Sequence, residues 1–175
     1  RLARVLRKGF DLWSRPDKAG SAFRRPSERT TVMKVSDIMT RDVESCTSTT
    51  TLPQVAKLMW SAGCGAIPVL DARAKVVGII TDRDISMALV NTGRKPASIP
   101  AWEVMTGHVQ SCGPEDNVKD ALETMKRFKV RRLPILSEDG ELRGILSMDD
   151  IIVRALSHDA PTSAEILNTL REILD

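Results

Sequence analysis

Apolar residues fall into two rhythms along this chain. Leu52, Val55, Ala56, Leu58 and Met59 recur at helical spacing, preceded by the polar turn Thr47–Thr51 and stopped by Gly63 and Gly65. Ala66–Leu70 is an unbroken apolar run that predicts a short buried strand, Asp71–Lys75 a turn, and Val76–Ile80 a second strand. A helix over 82–90 starts at Thr81, and a short extended piece around Val43–Cys46 precedes the set. The order then returns. Asn117-Val118 opens a helix through Phe128, strands at 132–136 and 142–146 flank the hairpin signal Asp139-Gly140, and Ser147 starts a helix to about Leu156. Beyond it, Thr162 and Glu165 form a capping box, and Ile166, Leu167, Leu170, Ile173 and Leu174 make one apolar stripe.

The return is a repeat without a gap. At an offset of 66 residues, Met39-Thr40 falls on Met105-Thr106, Ser45-Cys46 on Ser111-Cys112, Met59 on Met125, Pro68 on Pro134, Gly78-Ile79 on Gly144-Ile145, and Asp84-Ile85 on Asp150-Ile151. Two copies are too few for a solenoid, which needs about three. The pattern predicts a mixed α+β fold of the α/β class: two tandem β-α-β-β-α units packed as a pseudo-two-fold pair, plus a C-terminal helix. Its expected segments are a basic extension over 1–32, a first repeat over 33–91, a second over 92–158, and an amphipathic helix within 159–175.

Composition narrows the function classes. Of 175 residues, 42% are apolar and 28% charged, ordinary for a soluble globular protein. No apolar run reaches the length of a membrane span, and no secretory signal is visible, although the chain does not open on Met. Cys46, Cys64 and Cys112 are an odd count without metal spacing, which suggests reduced thiols and a cytoplasmic protein. With only His108 and His158, a histidine metal site is not expected, and no nucleophile–base constellation points to an enzyme.

The repeated stretches Gly78–Asp84 ("GIITDRD") and Gly144–Asp150 ("GILSMDD") carry the candidate chemistry. Each reads as a strand ending where a helix begins. Free amides and positive partial charge at a helix start suit a phosphate, and a carboxylate one turn on can accept paired ribose hydroxyls. The same hydroxyl-x-x-carboxylate spacing also serves as a helix cap. Recurrence in both copies favours the ligand reading.

These residues resemble tandem cystathionine-β-synthase (CBS) domains, together called a Bateman module. "VSDIMT" at 35–40 and "AWEVMT" at 101–106 open the copies in family style, and "GAIPVLDARAKVVGIITDRDI" and "RRLPILSEDGELRGILSMDDI" close them. The resemblance covers about 35–156. It implies a regulatory sensor binding AMP, ADP, ATP or S-adenosylmethionine in clefts between the repeats, no catalytic cofactor, a flat homodimer and an effector still to be found. It assigns Thr81 and Ser147 to phosphate and Asp84 and Asp150 to ribose. It extends the site to Ala66, Ile67 and Pro68, to Arg131, Arg132, Leu133 and Pro134, and to Val43 and Val109.

Copy two has Arg131-Arg132 where copy one has Gly65-Ala66, so copy two is expected to hold a phosphorylated ligand more strongly. The alternative is a solvated basic face. Trp60 and Trp102 are read as packing residues rather than base-stacking ones, Cys46 and Cys112 as small core residues, and His108 as a loop residue. Residues 1–32 hold nine Lys/Arg against three Asp/Glu, and residues 33–175 hold 17 against 20. A short helix carrying Leu2, Val5, Leu6 and Trp13 fits a lipid or nucleic-acid contact or a transit-peptide remnant. Pro16, Gly20 and Pro26 favour a mobile or non-native tail, with nucleic acid not expected as a partner and Met33 a natural start position.

Overall fold

Each helix begins at a polar residue that the sequence marks. In α1 (Leu52–Ala62), the Thr51 amide donates to Gln54 Oε1 at 3.0 Å, Pro53 sits in the first turn, and Gly63 ends the helix in the left-handed region at φ 60°. Thr81 caps α2 (Asp82–Thr92), which Gly93 closes at φ 62°. Asn117 caps α3 (Val118–Phe128), accepting from the Lys119 amide at 2.8 Å. No glycine follows α3, so Lys129 takes the left-handed position at φ 53°. Two further helices are α4 (Met148–Arg154) and α5 (Ser163–Leu174), the latter with the expected Thr162–Glu165 box. The computed structural model describes residues 32–154 and 160–175. The expected helix in the basic segment and the end of α4 near Leu156 lie outside them.

The strands are β1 (Cys46–Thr47), β2 (Ala66–Leu70), β3 (Val76–Thr81), β4 (Arg132–Leu136) and β5 (Leu142–Ser147). β1 runs parallel to β2, and β2 is antiparallel to β3. β4 and β5 repeat the hairpin, while the first strand of copy two shrinks to a single parallel bridge, Cys112 to Ile135. The extended piece expected over Val43–Cys46 is strand only from Cys46. Val43 and Glu44 leave the sheet and line the cleft described below.

The entry segment of each copy packs on the other copy. The Val35 amide donates to the Asp116 carbonyl (2.9 Å), Ser36 to Pro114 (2.8 Å), and Thr40 exchanges two bonds with Ile145 (3.0 and 2.9 Å). Sixty-six residues on, Ala101 donates to Thr50 (2.8 Å), Trp102 to Ser48 (3.0 Å), and Thr106 exchanges two bonds with Ile79 (2.9 and 3.1 Å). The cores follow the same exchange. Val35 and Met39 join Leu122, Met125, Leu133, Ile135 and Leu146 of copy two. Ile99 and Ala101 join Leu52, Val55, Ile67, Val69 and Ile80 of copy one.

This exchange accounts for the repeated glycine. A Cβ on Gly144 would stand 2.7 Å from the Thr40 carbonyl oxygen and 2.9 Å from Met39 Sδ. One on Gly78 would strike Met105 and approach the Thr106 carbonyl oxygen to 3.2 Å. The glycine of one copy and the Met-Thr of the other are therefore two halves of one contact.

α5 lies along α3, joined by a Lys119–Glu165 ion pair at 3.1 Å. The Thr162 amide and hydroxyl, with Lys119, hold the Glu165 carboxyl below its ordinary range. Ile166 is buried and Leu170 and Ile173 pack on the second core, so much of the terminal stripe is covered within the chain, while Leu167 and Leu174 stay exposed.

Candidate functional site

The exchange leaves a cleft of about 280 Å³ where the two copies meet. Its floor is the end of β5 and the start of α4: Ile145, Ser147, Asp149 and Asp150. Its walls belong to copy one: Thr40, Asp42, Val43 and Glu44 of the entry segment, and Ala62–Ala66 after α1. Arg132, in register with Ser147 across the β4–β5 hairpin, also faces it. Gly65 lies beside that side chain: a Cβ there would be in ordinary contact with Arg132 Nη2 at 3.5 Å and tight against Asp82 Oδ2 at 3.0 Å.

The hydroxyl–carboxylate pairs adopt one geometry in both copies. The Ser147 amide and hydroxyl donate to Asp150 Oδ2 at 2.8 and 2.6 Å, and the Asp150 amide donates back to Ser147 Oγ at 3.2 Å. Thr81 and Asp84 match this at 2.8, 2.7 and 3.2 Å. Capping and ligand roles therefore need not compete. The cap occupies Oδ2, and among the described residues Oδ1 of each aspartate accepts no hydrogen bond, which leaves one carboxylate oxygen for a ligand hydroxyl.

Of the expected residues, Ser147, Asp150, Arg132, Ala66 and Val43 line this cleft. Ile67 and Leu133 are fully buried, one in each core, and present no side-chain surface to it; Pro68 and Pro134 are also buried. Arg131 and Val109 are absent from its lining. Trp60 and Trp102 are exposed and stand outside it. Asp42, Glu44, Cys64 and Asp149 line it without having been singled out as ligand contacts from the sequence. Their only signal was position, beside Val43, Gly65 and Asp150.

The three thiols differ sharply. Cys64 is exposed at the cleft, whereas Cys46 is buried. Burial pushes the Cys46 thiol up and takes Cys112 to about 12, with Asp116 adding to the latter. Since the thiolate is the nucleophile, one equivalent of a maleimide should label Cys64 and spare the other two, as read by peptide mass spectrometry. Fast labelling of Cys112 would contradict this. A ligand seated in the cleft should slow the Cys64 reaction.

A family model settles what the repeat is: the CBS domain model matches residues 35–91 and 101–157. The chain belongs to the CBS domain family. Its CBS pair is 34% identical over 130 residues to the CBS domain-containing protein YhcV of Bacillus subtilis, covering 74% of this chain and 91% of YhcV. Protein MK0525 of Methanopyrus kandleri is 31% identical over 120 residues, and that match takes in 69% of this chain and 61% of MK0525. Among solved structures, the CBS domain pair of protein MJ0100, in complex with 5′-methylthioadenosine and S-adenosylmethionine, is similar at a TM-score of 0.63 and 25% identity, covering 69% of this chain and 98% of that one. Among the described residues of this CBS pair, no group of three or more His, Cys, Asp or Glu could hold a metal ion. No helix among them is long and apolar enough to cross a membrane.

Proposed function

We propose that this CBS pair is a regulatory sensor for an adenosine-containing ligand, AMP, ADP, ATP or S-adenosylmethionine, rather than a catalyst. The observation that carries the reading is the Ser147–Asp150 pair. It sits on the floor of a cleft walled by the other repeat, with its hydroxyl at a helix start and one carboxylate oxygen still able to accept. The complex of MJ0100 with two adenosine ligands supports it. A ligand touching both walls would bind only when the entry segment is docked, so occupancy would favour one relative arrangement of the repeats. That arrangement would be passed to an effector, on the same polypeptide or another. The test is thermal unfolding with AMP, ATP and S-adenosylmethionine: at least one raises the midpoint. No movement with any of them would leave the hydroxyl–carboxylate pairs as caps alone.

The sensor pairs with a second copy of itself. Met87, Leu89 and Val90 on α2 and Ile152 and Val153 on α4 are exposed, Val90 by 78% and Val153 by 76%. Equivalent helices of both repeats thus present apolar faces to solvent, as surfaces that associate do. Sedimentation at micromolar concentration should show a dimer, and Val90→Asp with Val153→Asp should give a folded monomer. A wild-type monomer would rule out this interface.

A further inference from the structure

The pseudo-two-fold relation of the repeats implies a second cleft at Thr81–Asp84, equivalent to the one at Ser147–Asp150 and lined by side chains of opposite charge. The backbone bonds that seat one entry segment have counterparts 66 residues away, so the residues around Thr81 and Asp84 follow from those observed around Ser147 and Asp150. The loop walls keep this correspondence. Gly63 and Lys129 share the left-handed conformation, at φ 60° and 53°. The Asp82 amide donates to the Gly65 carbonyl at 3.3 Å, and the Met148 amide to the Arg131 carbonyl at 2.9 Å.

The side chains on this common frame differ in sign. At the Ser147 cleft, Asp42, Glu44 and Asp149 stand with Asp150, and Arg132 alone offsets them, a formal charge of −3. The positions equivalent to Asp42, Glu44 and Asp149 are His108, Gln110 and Arg83. Those equivalent to Gly63, Gly65 and Ala66 are Lys129, Arg131 and Arg132. Arg132 is already placed at the Ser147 cleft, so Arg83, Lys129 and Arg131 against Asp84, with His108 counted neutral, give the Thr81 cleft a formal charge of +2.

We infer that the clefts divide adenosine ligands by the charge of the 5′ arm: a phosphorylated arm at Thr81–Asp84, and an uncharged or cationic arm at Ser147–Asp150. This rests on the sensor reading above. Both clefts keep the same hydroxyl–carboxylate pair for the nucleoside, so discrimination falls to the groups that differ. Guanidinium and ammonium groups near a helix start favour phosphate. Four carboxylates around a half-enclosed cleft repel it and favour a sulfonium or ammonium group. The basic run of copy two then serves the hydroxyl–carboxylate pair of copy one, the reverse of what a copy-by-copy reading of the sequence suggests.

The experiment is isothermal titration calorimetry of the full chain with ATP and with 5′-methylthioadenosine. The variants are Asp84→Asn and Asp150→Asn, which retain an acceptor for the helix cap, and Arg131→Glu at an exposed residue. Asp84→Asn should weaken ATP at least about tenfold more than Asp150→Asn does, and the order should reverse for 5′-methylthioadenosine. Arg131→Glu should weaken ATP by about tenfold and 5′-methylthioadenosine by less than about twofold. Added salt should weaken ATP and leave 5′-methylthioadenosine nearly unchanged. ATP affinity that follows Asp150, or an Arg131→Glu loss equal for both ligands, would overturn the division while leaving the sensor reading intact. A wild type that binds neither would overturn both.

Discussion

Gly144→Ala is expected to lower the thermal midpoint by roughly 2–12 °C, from about 1–3 kcal/mol of overpacking at about 2–4 °C per kcal/mol for a chain of this size. The added methyl would meet the Thr40 carbonyl oxygen at 2.7 Å, and backbone oxygen cannot swing aside as a side-chain terminus can. Relief requires that the two Thr40–Ile145 hydrogen bonds lengthen and that Met39 shift within the second core. Alanine stiffens the unfolded chain, which returns only about 0.4–1 kcal/mol. Gly107→Ala is the control, because a Cβ there has nothing within 4 Å. The two variants are compared by calorimetry. Equal midpoints would mean that the entry segment is not clamped against β5. Thr40 also walls the cleft, so Gly144→Ala should weaken ligand binding as well.

The second large effect concerns Asp150. S-adenosylmethionine at 100 times its dissociation constant should stabilise the wild type by about 2.7 kcal/mol, a rise of roughly 5–10 °C. Asp150→Asn should lose most of that rise while staying folded, since an amide oxygen can still accept from the Ser147 amide and hydroxyl. Asp150→Ala removes the cap as well and should cost a further 0.5–2 kcal/mol, roughly, without ligand. The two contributions are thus separable in one set of melting curves. If Asp150→Asn keeps the full ligand response, the carboxylate does not hold the ligand.

Much of the fold was legible because its signals are local. Thr51, Thr81, Asn117, Ser147 and Thr162 mark helix starts through bonds made within three residues, and Gly63 marks a stop through its own φ. Lys129 shows the limit. It takes the conformation of Gly63 with no glycine to announce it, because the hairpin that follows must start at the equivalent place. The exchange of entry segments was not legible for a different reason. "VSDIMT" and "AWEVMT" are near copies, so either could complete either sheet, and periodicity does not say which does. For the same reason the hydroxyl–carboxylate pairs could be named from the sequence while their walls could not. A residue's cleft depends on which copy it faces, and Asp42, Glu44 and Cys64 acquire a place only after the exchange is known.

The exchange also orders events during synthesis. The Met33 carbonyl accepts from the Val118 amide, and Thr40 pairs with Ile145, so the first entry segment has no seat until about a hundred further residues exist. At about 5–20 residues per second, that leaves Val35 and Met39 without their core for roughly 5–20 s. The first sheet waits less, because its missing segment, Ala101–Thr106, follows α2 within a few residues. Closing contacts over such separations also sacrifices more chain entropy before any of it is repaid by packing, which slows folding relative to a chain of two self-contained repeats. The nascent chain therefore completes its first core early and keeps its opening strap in reserve until the last strand emerges.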